Sequence, residues 1–343
     1  MVARRRLESW LNRCWYEGAA GSLLLWPLSL FYAGLAGLHA LPWRTGLRQA
    51  VWLPVPVVVV GNITAGGTGK TPLVIWMAQV LREAGWRPGI ITRGYGRERS
   101  PGARLVAPND SARAVGDEAL LLARRAGCPV VCGPNRVADG RLLLAEHDVD
   151  VVISDDGLQH HRLGRSLEWV VIDGARGLGN GRLLPAGPLR EPASRLRRVD
   201  TLVVNGEPTD PAFADTLVMQ LVGETAVNLA DGREQPLTAF AGQSVHAVAG
   251  IGNPQRFFSH LHQVPGLDVV EHAFGDHHHY APADLHFGDD AAIVMTEKDA
   301  VKCAGFADGR YWYVPVAAEL PQAARQRLLD SLGRWSATPE KAP

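Results

Sequence analysis

Short apolar runs and amphipathic stretches alternate along most of the chain. Residues 57–60 read Val-Val-Val-Val between Pro56 and Gly61, the pattern of a strand buried on both faces. A helical repeat follows over 71–83, with Leu73, Val74, Met77, Val80 and Leu81 on its apolar side and Pro72 in its first turn. Further strands are expected at 89–92, 129–132, 149–154, 169–172 and 201–204, and helices over 117–126 and 136–146. Short apolar strands separated by helices pack as a mostly parallel α/β sheet, since parallel neighbours need a crossover between them. A second alternation begins near Ser244, with strands at 246–249, 268–270, 292–295 and 311–315, a helix opening at Pro254 and a closing helix over 321–335. The pattern thus predicts a larger unit over 51–240, a linker at about 215–243, and a smaller α/β unit over 241–343.

Before these units, residues 18–43 contain no Asp, Glu, Lys or Arg. Arg4, Arg5, Arg6 and Arg13 precede the stretch, and Arg44 and Arg48 follow it. About 20 apolar residues at ~1.5 Å each reach across a hydrocarbon core. Trp26, Phe31, Tyr32 and Trp43 supply interfacial aromatics, while Pro27 allows two shorter helices lying in the interface instead. A secretory signal peptide fits poorly, because the apolar region starts late; a buried helix of the core is the plainer alternative. The reading adopted is a membrane-associated helical segment over 1–50, spanning or monotopic, whose arginines suit an anionic cytoplasmic leaflet.

Composition narrows the class. The 343 residues carry 35 Lys+Arg against 35 Asp+Glu, so no nucleic-acid partner is expected, and 46% hydrophobic content excludes a disordered chain. Four scattered cysteines make no disulfide framework and read as free thiols in a reducing compartment.

The sharpest local chemistry is Thr64-Ala65-Gly66-Gly67-Thr68-Gly69-Lys70-Thr71, between the 57–60 strand and the amphipathic helix. That context is the one a phosphate-binding loop requires. Glycines let backbone N–H groups wrap a phosphate, and the helix start adds its positive dipole end. Lys70 would reach the outer phosphates and the Thr71 hydroxyl would ligate Mg²⁺. Thr64 stands where the strict pattern has Gly, so the loop is a variant. Asp155 and Asp156 end an apolar strand, as the second metal carboxylate of such a site does. The fold class is therefore α/β, a P-loop NTPase-type mostly parallel sheet with a second, smaller α/β domain and an apolar N-terminal helical segment. Thr296-Glu297-Lys298-Asp299 has the wrong order for a guanine signature, and no second lysine lies early in the loop as a partitioning ATPase needs. Kinase-type transfer remains the best reading, ahead of a membrane-recruited ATPase switch.

Eight blocks then occur in order: GNITAGGTGKTP at 61–72, TRGYGR at 92–97, GDEALLLA at 116–123, Asn135-Arg136, SDDGLQHHRL at 154–163, GRLLPAGPLREP at 181–192, FGDHHHY at 274–280 and TEKDAVK at 296–302. Together they resemble the tetraacyldisaccharide 4′-kinase family of lipid A biosynthesis, over nearly the whole chain. The resemblance implies transfer of the ATP γ-phosphate to the 4′-hydroxyl of a tetraacylated glucosamine disaccharide 1-phosphate, at the cytoplasmic face of the Gram-negative inner membrane. It implies ATP and Mg²⁺ as cofactors, an acylated disaccharide lipid and the membrane surface as partners, and no obligate protein partner. Another membrane glycolipid as acceptor is the alternative within kinase chemistry.

Through the same resemblance Asp117 matches the family's catalytic aspartate and His277 its histidine partner, with His278 adjacent and Gly275 where the family usually has Pro. Taken by sequence alone, Asp117 would serve as an acid complementing a helix dipole. Thr71, Asp155, Asp156 and Glu191 are the expected metal-region residues, and Arg93, Tyr95, Arg136 and Arg190 the expected substrate contacts, arginine being suited to bidentate phosphate binding. Arg97 and Arg182 read as surface charges, and His160 as a supporting hydrogen-bond group. If Asp117 and His277 lie in different units, the site spans a cleft that closes on substrate.

Overall fold

The computed structural model describes residues 2–18, 21–98 and 102–335; Ala19 and Ala20 of the uncharged stretch lie outside it, as do the side chains of Arg4, Arg5, Arg6 and Arg44. Helices α1 (Val2–Tyr16), α2 (Gly21–Leu24) and α3 (Trp26–Arg44) lead into the first sheet. Its strands are β1 (Val57–Gly61), β2 (Pro88–Thr92), β3 (Arg104–Leu105), β4 (Val130–Cys132), β5 (Val151–Asp155), β6 (Leu167–Asp173), β7 (Thr201–Asn205) and β8 (Leu217–Val222). Helices α4 (Lys70–Glu83), α5 (Ala112–Val115), α6 (Asp117–Arg125) and α7 (Arg136–Glu146) are interspersed among them. The smaller sheet contains β9 (Thr225–Asn228), β10 (Glu234–Pro236), β11 (Ser244–Ala249), β12 (Asp268–Ala273), β13 (Ala292–Thr296) and β14 (Tyr311–Val314), with α8 (Pro254–His262) and α9 (Glu297–Cys303). The chain then adds β15 (Ala317–Glu319) and α10 (Gln322–Gly333).

The large sheet runs β15-β8-β7-β6-β1-β5-β2-β4-β3, with β1 parallel to both β5 and β6. Every residue of β1, β2, β5 and β6 is buried, which is why these strands read as continuous apolar runs. One face packs on α4, α6 and α10, the other on α7. The smaller sheet runs β10-β9-β14-β13-β11-β12, with α8 on one face and α9 on the other.

Two features depart from the sequence pattern. The expected linker carries β8 of the large sheet and β9 and β10 of the smaller one. The closing helix, expected in the 241–343 unit, returns to the first: β15 pairs antiparallel with β8, and Ala324, Leu328 and Leu332 of α10 are buried in the core beside α4. Edge pairing and the apolar flank of α4 outweigh sequence proximity here.

At the N-terminus α2 and α3 break at Leu25, and Pro27 sits in the first turn of α3, where a missing N–H is tolerated. Among the described residues no helix is long and apolar enough to cross a membrane. Leu28, Phe31, Leu35 and Leu38 recur at helical spacing along α3 and all are more than half exposed. Its opposite side is pinned to the loop after β6. Ser29 Oγ donates to Leu183 O at 2.8 Å and accepts from Ala186 N at 2.9 Å, and Tyr32 Oη donates to Arg190 O at 3.0 Å.

Candidate active site

The phosphate loop connects β1 to α4. Gly69 takes φ of 94° immediately before α4, where an added Cβ would strike the Asn205 amide. The loop is held at both sides: Ala65 N donates to Pro188 O at 2.7 Å, and Asn205 Nδ2 donates to Thr68 O at 3.0 Å. Thr64 is buried and bridges Leu189 without a left-handed backbone, so the variant position costs no strain. Gly66 and Gly67 are exposed.

Lys70 begins α4, and its Nζ donates to Asn62 Oδ1 at 3.3 Å and lies 3.5 Å from Asp156 Oδ1. Arg190 reaches the same pair: Nη2 donates to Asn62 O at 3.1 Å, to Asp156 Oδ1 at 3.2 Å, and to Asn62 Oδ1. Two cations are thereby gathered where β1 and β5 end, the crevice in which open parallel sheets bind ligands.

The two adjacent aspartates are in opposite electrostatic states. Asp155 is buried; Thr92 Oγ1 donates to its Oδ2 at 3.2 Å, but Oδ1 has no partner. Burial pushes its pKa up, and the charges of Glu118 and Asp156 push it further. Burial acts the same way on Asp156, but Lys70 and Arg190 outweigh it and hold that carboxyl well below the usual range. Asp156 takes a φ of 47°, and with His277 at 58° it is one of two described non-glycine residues in the left-handed region. An orphaned carboxylate oxygen, with the Thr71 hydroxyl in the first turn of α4, fits Mg²⁺, which is held by one or two carboxylates and completed by phosphates. Among the described residues no group of three or more His, Cys, Asp or Glu side chains could hold a metal alone. Glu191 stands one step away: Gln159 Nε2 donates to its Oε1 at 2.7 Å and to Asn62 O at 3.4 Å.

Asp117 opens α6 behind Gly116, whose φ of 94° turns the chain sharply. His277 comes from the loop after β12 of the other sheet. Its Nδ1 lies 3.0 Å from Asp117 Oδ2 and 3.2 Å from Oδ1. Burial would raise the Asp117 pKa, but the His277 hydrogen bond and the Lys298 and Lys302 charges outweigh it and bring it down to about 2. His278 faces Asp284 instead, at 3.2 Å, so neighbouring histidines point to different partners. Tyr95 is half-exposed and its ring centroid sits 4.4 Å from that of His277. Tyr95, Asp117, His277 and His279 line a small cavity of about 20 Å³.

Among the other expected contacts, Arg93 is exposed at the end of β2. Arg136 departs from expectation. It is 2% exposed, and its guanidinium donates to Gly133 O at 2.8 Å and Asp155 O at 3.2 Å beside Asp139. It braces the strand end that carries Asp155 rather than facing open space. His160 has its pKa pushed down to about 4 by burial and by the charges of Arg136 and Arg93, so its ring is neutral near pH 7.

A family model described as tetraacyldisaccharide-1-P 4′-kinase matches residues 21–333. The chain belongs to that family. It is 53% identical over 310 residues to a tetraacyldisaccharide 4′-kinase of Alkalilimnicola ehrlichii, covering 90% of this chain and 92% of the relative. A tetraacyldisaccharide 4′-kinase of Nitrosococcus oceani is 48% identical over 325 residues, covering 95% of each. Among solved structures, the "apo" form of LpxK from Aquifex aeolicus in complex with ATP matches with a TM-score of 0.72 and 29% identity, over 91% of this chain and 99% of that one.

Family membership accounts for the order of the blocks, and the structure adds residues that spacing did not reveal. Asn62 lies inside the first block yet reads as a plain loop residue; its role comes from gathering Lys70 and Arg190. Glu118 carries no signal beyond its neighbour Asp117, but its carboxylate takes Lys298 Nζ at 3.0 Å across 180 residues of chain. Only the closing of one sheet onto the other makes that pair visible.

Proposed function

We propose that the chain transfers the γ-phosphate of ATP to the 4′-hydroxyl of a tetraacylated glucosamine disaccharide 1-phosphate, a step of lipid A synthesis. The observation that carries this reading is the Asp117–His277 pair, contributed by both sheets of a chain that also holds a Gly-Lys-Thr phosphate loop with two gathered cations. The acceptor oxygen forms its bond to the γ-phosphorus as the bond to the bridging oxygen of the departing ADP breaks. The hydroxyl proton passes to the Asp117–His277 pair, and the charge left on ADP is met by Lys70 and Arg190. Mg²⁺, when bound at Thr71 and Asp155 or Asp156, supplies charge neutralisation of the phosphates.

The acceptor's four acyl chains keep it in a bilayer, so the catalytic crevice has to work at the cytoplasmic surface of the inner membrane. The exposed apolar side of α3 supports monotopic attachment there, and Tyr32 ties that helix to the loop carrying Arg190. Arg93, Tyr95 and Arg190 are the side chains assigned to the anionic headgroup. The test incubates purified chain with γ-labelled ATP, Mg²⁺ and the tetraacyl disaccharide 1-phosphate in mixed micelles. A labelled bisphosphorylated lipid is expected. ATP turnover that leaves the lipid unlabelled would remove the assignment.

A further inference from the structure

Helix α9 presents two lysines one turn apart toward the base pair. Lys298 is satisfied: its Nζ lies 3.0 Å from Glu118 Oε1 and 3.2 Å from Asp276 Oδ1. Lys302 is not. Its side chain is 5% exposed, and its Nζ sits 2.7 Å from Asp299 Oδ1, yet neither atom makes a directed hydrogen bond. The same ammonium lies 4.0 Å from Asp117 Oδ2 and 5.1 Å from the centre of the Tyr280 ring, and it lines the cavity shared by Asp117, His277 and Tyr95. Burying an ammonium group is costly unless an opposite charge meets it. Here two carboxylates meet it, and one of them is Asp117.

The second carboxylate leads to the phosphate loop. Asp299 Oδ2 accepts from Gly250 N at 2.8 Å and from Thr296 Oγ1 at 2.6 Å. Gly250 opens the 250–253 turn, whose Gly252 approaches Gly67 so closely that an added Cβ would strike the Gly67 nitrogen. Arg176 Nη1 donates to Gly252 O at 2.9 Å and Asn253 Nδ2 to Asp173 Oδ2 at 3.1 Å, fixing that turn to the large sheet. A line of contacts thus runs from the base pair through Lys302 and Asp299 to the phosphate loop. The cavity of about 20 Å³ has room for one water or hydroxyl, which needs ~10–15 Å³.

We propose that Lys302 is a positioning residue for phosphoryl transfer: its ammonium, held between Asp299 and Asp117, fixes the Asp117 carboxylate beside His277. The inference rests on the kinase reading above. The charged groups around Asp117 are Lys298 and Lys302 from α9, His277 from the loop after β12, and Glu118 from its own helix. Lys298 and Lys302 both act on Asp117, but Lys298 Nζ is hydrogen-bonded to Glu118 and Asp276, whereas Lys302 Nζ lies 4.0 Å from Asp117 Oδ2.

The test compares wild type, Lys302→Met, Lys302→Arg, Asp117→Asn and the Asp117→Asn/Lys302→Met double variant in full-length protein. For Lys302→Met the expected kcat loss is roughly 10- to 100-fold, as for a misplaced acid–base group. KM for ATP stays within about twofold of wild type, because the ground-state phosphate contacts are elsewhere. Removing a positive charge makes Asp117 easier to protonate, so the acid limb of the kcat profile moves to higher pH. Lys302→Arg keeps the limb in place with an intermediate kcat. In the Asp117→Asn background the Met change has little further effect. A Met variant with a lowered melting temperature but wild-type kcat and pH limb overturns the proposal, as does an undiminished effect in the Asp117→Asn background. Should the Met variant not fold, the Arg variant decides: wild-type kcat per folded molecule overturns the proposal, and reduced kcat at unchanged melting supports it. An inactive wild type fails the kinase reading itself and this inference with it; an active wild type beside an unaffected Lys302→Met fails this inference alone.

Discussion

His277 Nδ1 lies 3.0 Å from Asp117 Oδ2, although 160 residues separate them and Asp117 opens α6 beside the large sheet while His277 lies in the loop after β12 of the smaller one. The contact is the seam at which the smaller unit completes the site of the larger one. Because the two side chains act as one proton acceptor, their losses should not add. Asp117→Asn and His277→Gln are each expected to lower kcat by ~10²–10⁴-fold, with the double variant little worse than either. KM for ATP should hardly move. Steady-state kinetics on the four proteins checks this, and additive losses would argue that the pair does not act as a unit.

Asp155 and Asp117 lead to opposite pH signatures. The folded-state pKa of Asp155 is raised by burial and by Glu118 and Asp156, so ionising it costs the folded protein. That cost is absent below ~pH 4, where the unfolded carboxyl is also protonated, and it grows as pH rises through the folded pKa. Asp155→Asn should therefore melt higher than wild type at alkaline pH without Mg²⁺, with the gap narrowing on acidification, while phosphate transfer is lost. For Asp117, burial is outweighed by the His277 hydrogen bond and the lysine charges, and its folded pKa falls to about 2. Its stabilisation is present above the unfolded value of ~3.9 and disappears as pH falls through the folded one. Asp117→Asn should melt lower than wild type at neutral pH, and the gap should close in acid. Melting curves across pH test both, and offsets independent of pH would contradict the electrostatic assignment.

Asn62 offers a check on a residue that the sequence left unmarked. Its Oδ1 receives Lys70 Nζ at 3.3 Å and also Arg190, and its carbonyl takes Arg190 Nη2 at 3.1 Å. Asn62→Ala removes the side-chain acceptor that keeps both cations turned toward the phosphate loop. Hydrogen bonds to charged groups contribute ~1.5–3 kcal/mol, so an increase in KM for ATP of about tenfold or more is expected, with the fold intact by circular dichroism. An unchanged KM would mean that Asp156 alone holds Lys70 in place.

Much of this arrangement was legible in the chain. The four consecutive valines of β1 and the Gly-Lys-Thr turn are local signals, since strand burial and loop chemistry are written within about fifteen residues. The pairing of Asp117 with His277 was accessible only through the family resemblance, because nothing in local spacing joins the start of α6 to a loop of the other sheet. Arg136 was expected as a substrate contact through the family resemblance; at the start of α7 its guanidinium donates to the buried carbonyls of Gly133 and Asp155, a pairing that no local pattern reveals. The return of α10 to the large sheet was hidden as well. Its apolar positions fit either core, and the choice is made by the open edge at β8.

The N-terminal helix carries a final prediction. Phe31 is 68% exposed and Leu38 66%, while Ser29 and Tyr32 of the same helix are hydrogen-bonded to the loop before Arg190. One side of α3 is therefore committed to the enzyme, and the other presents large apolar side chains that are more than half exposed. Burying apolar surface is worth ~25 cal/mol per Å², so two such side chains matter to membrane partition. Phe31→Asp with Leu38→Asp should reduce co-sedimentation with anionic phospholipid vesicles severalfold. Turnover of the acceptor in vesicles should fall with it, while turnover in detergent micelles stays near wild type, because neither side chain touches the phosphate loop or the base pair. Equal losses in vesicles and micelles would instead mean that the substitutions disturb the Ser29 and Tyr32 contacts, and with them the loop that carries Arg190.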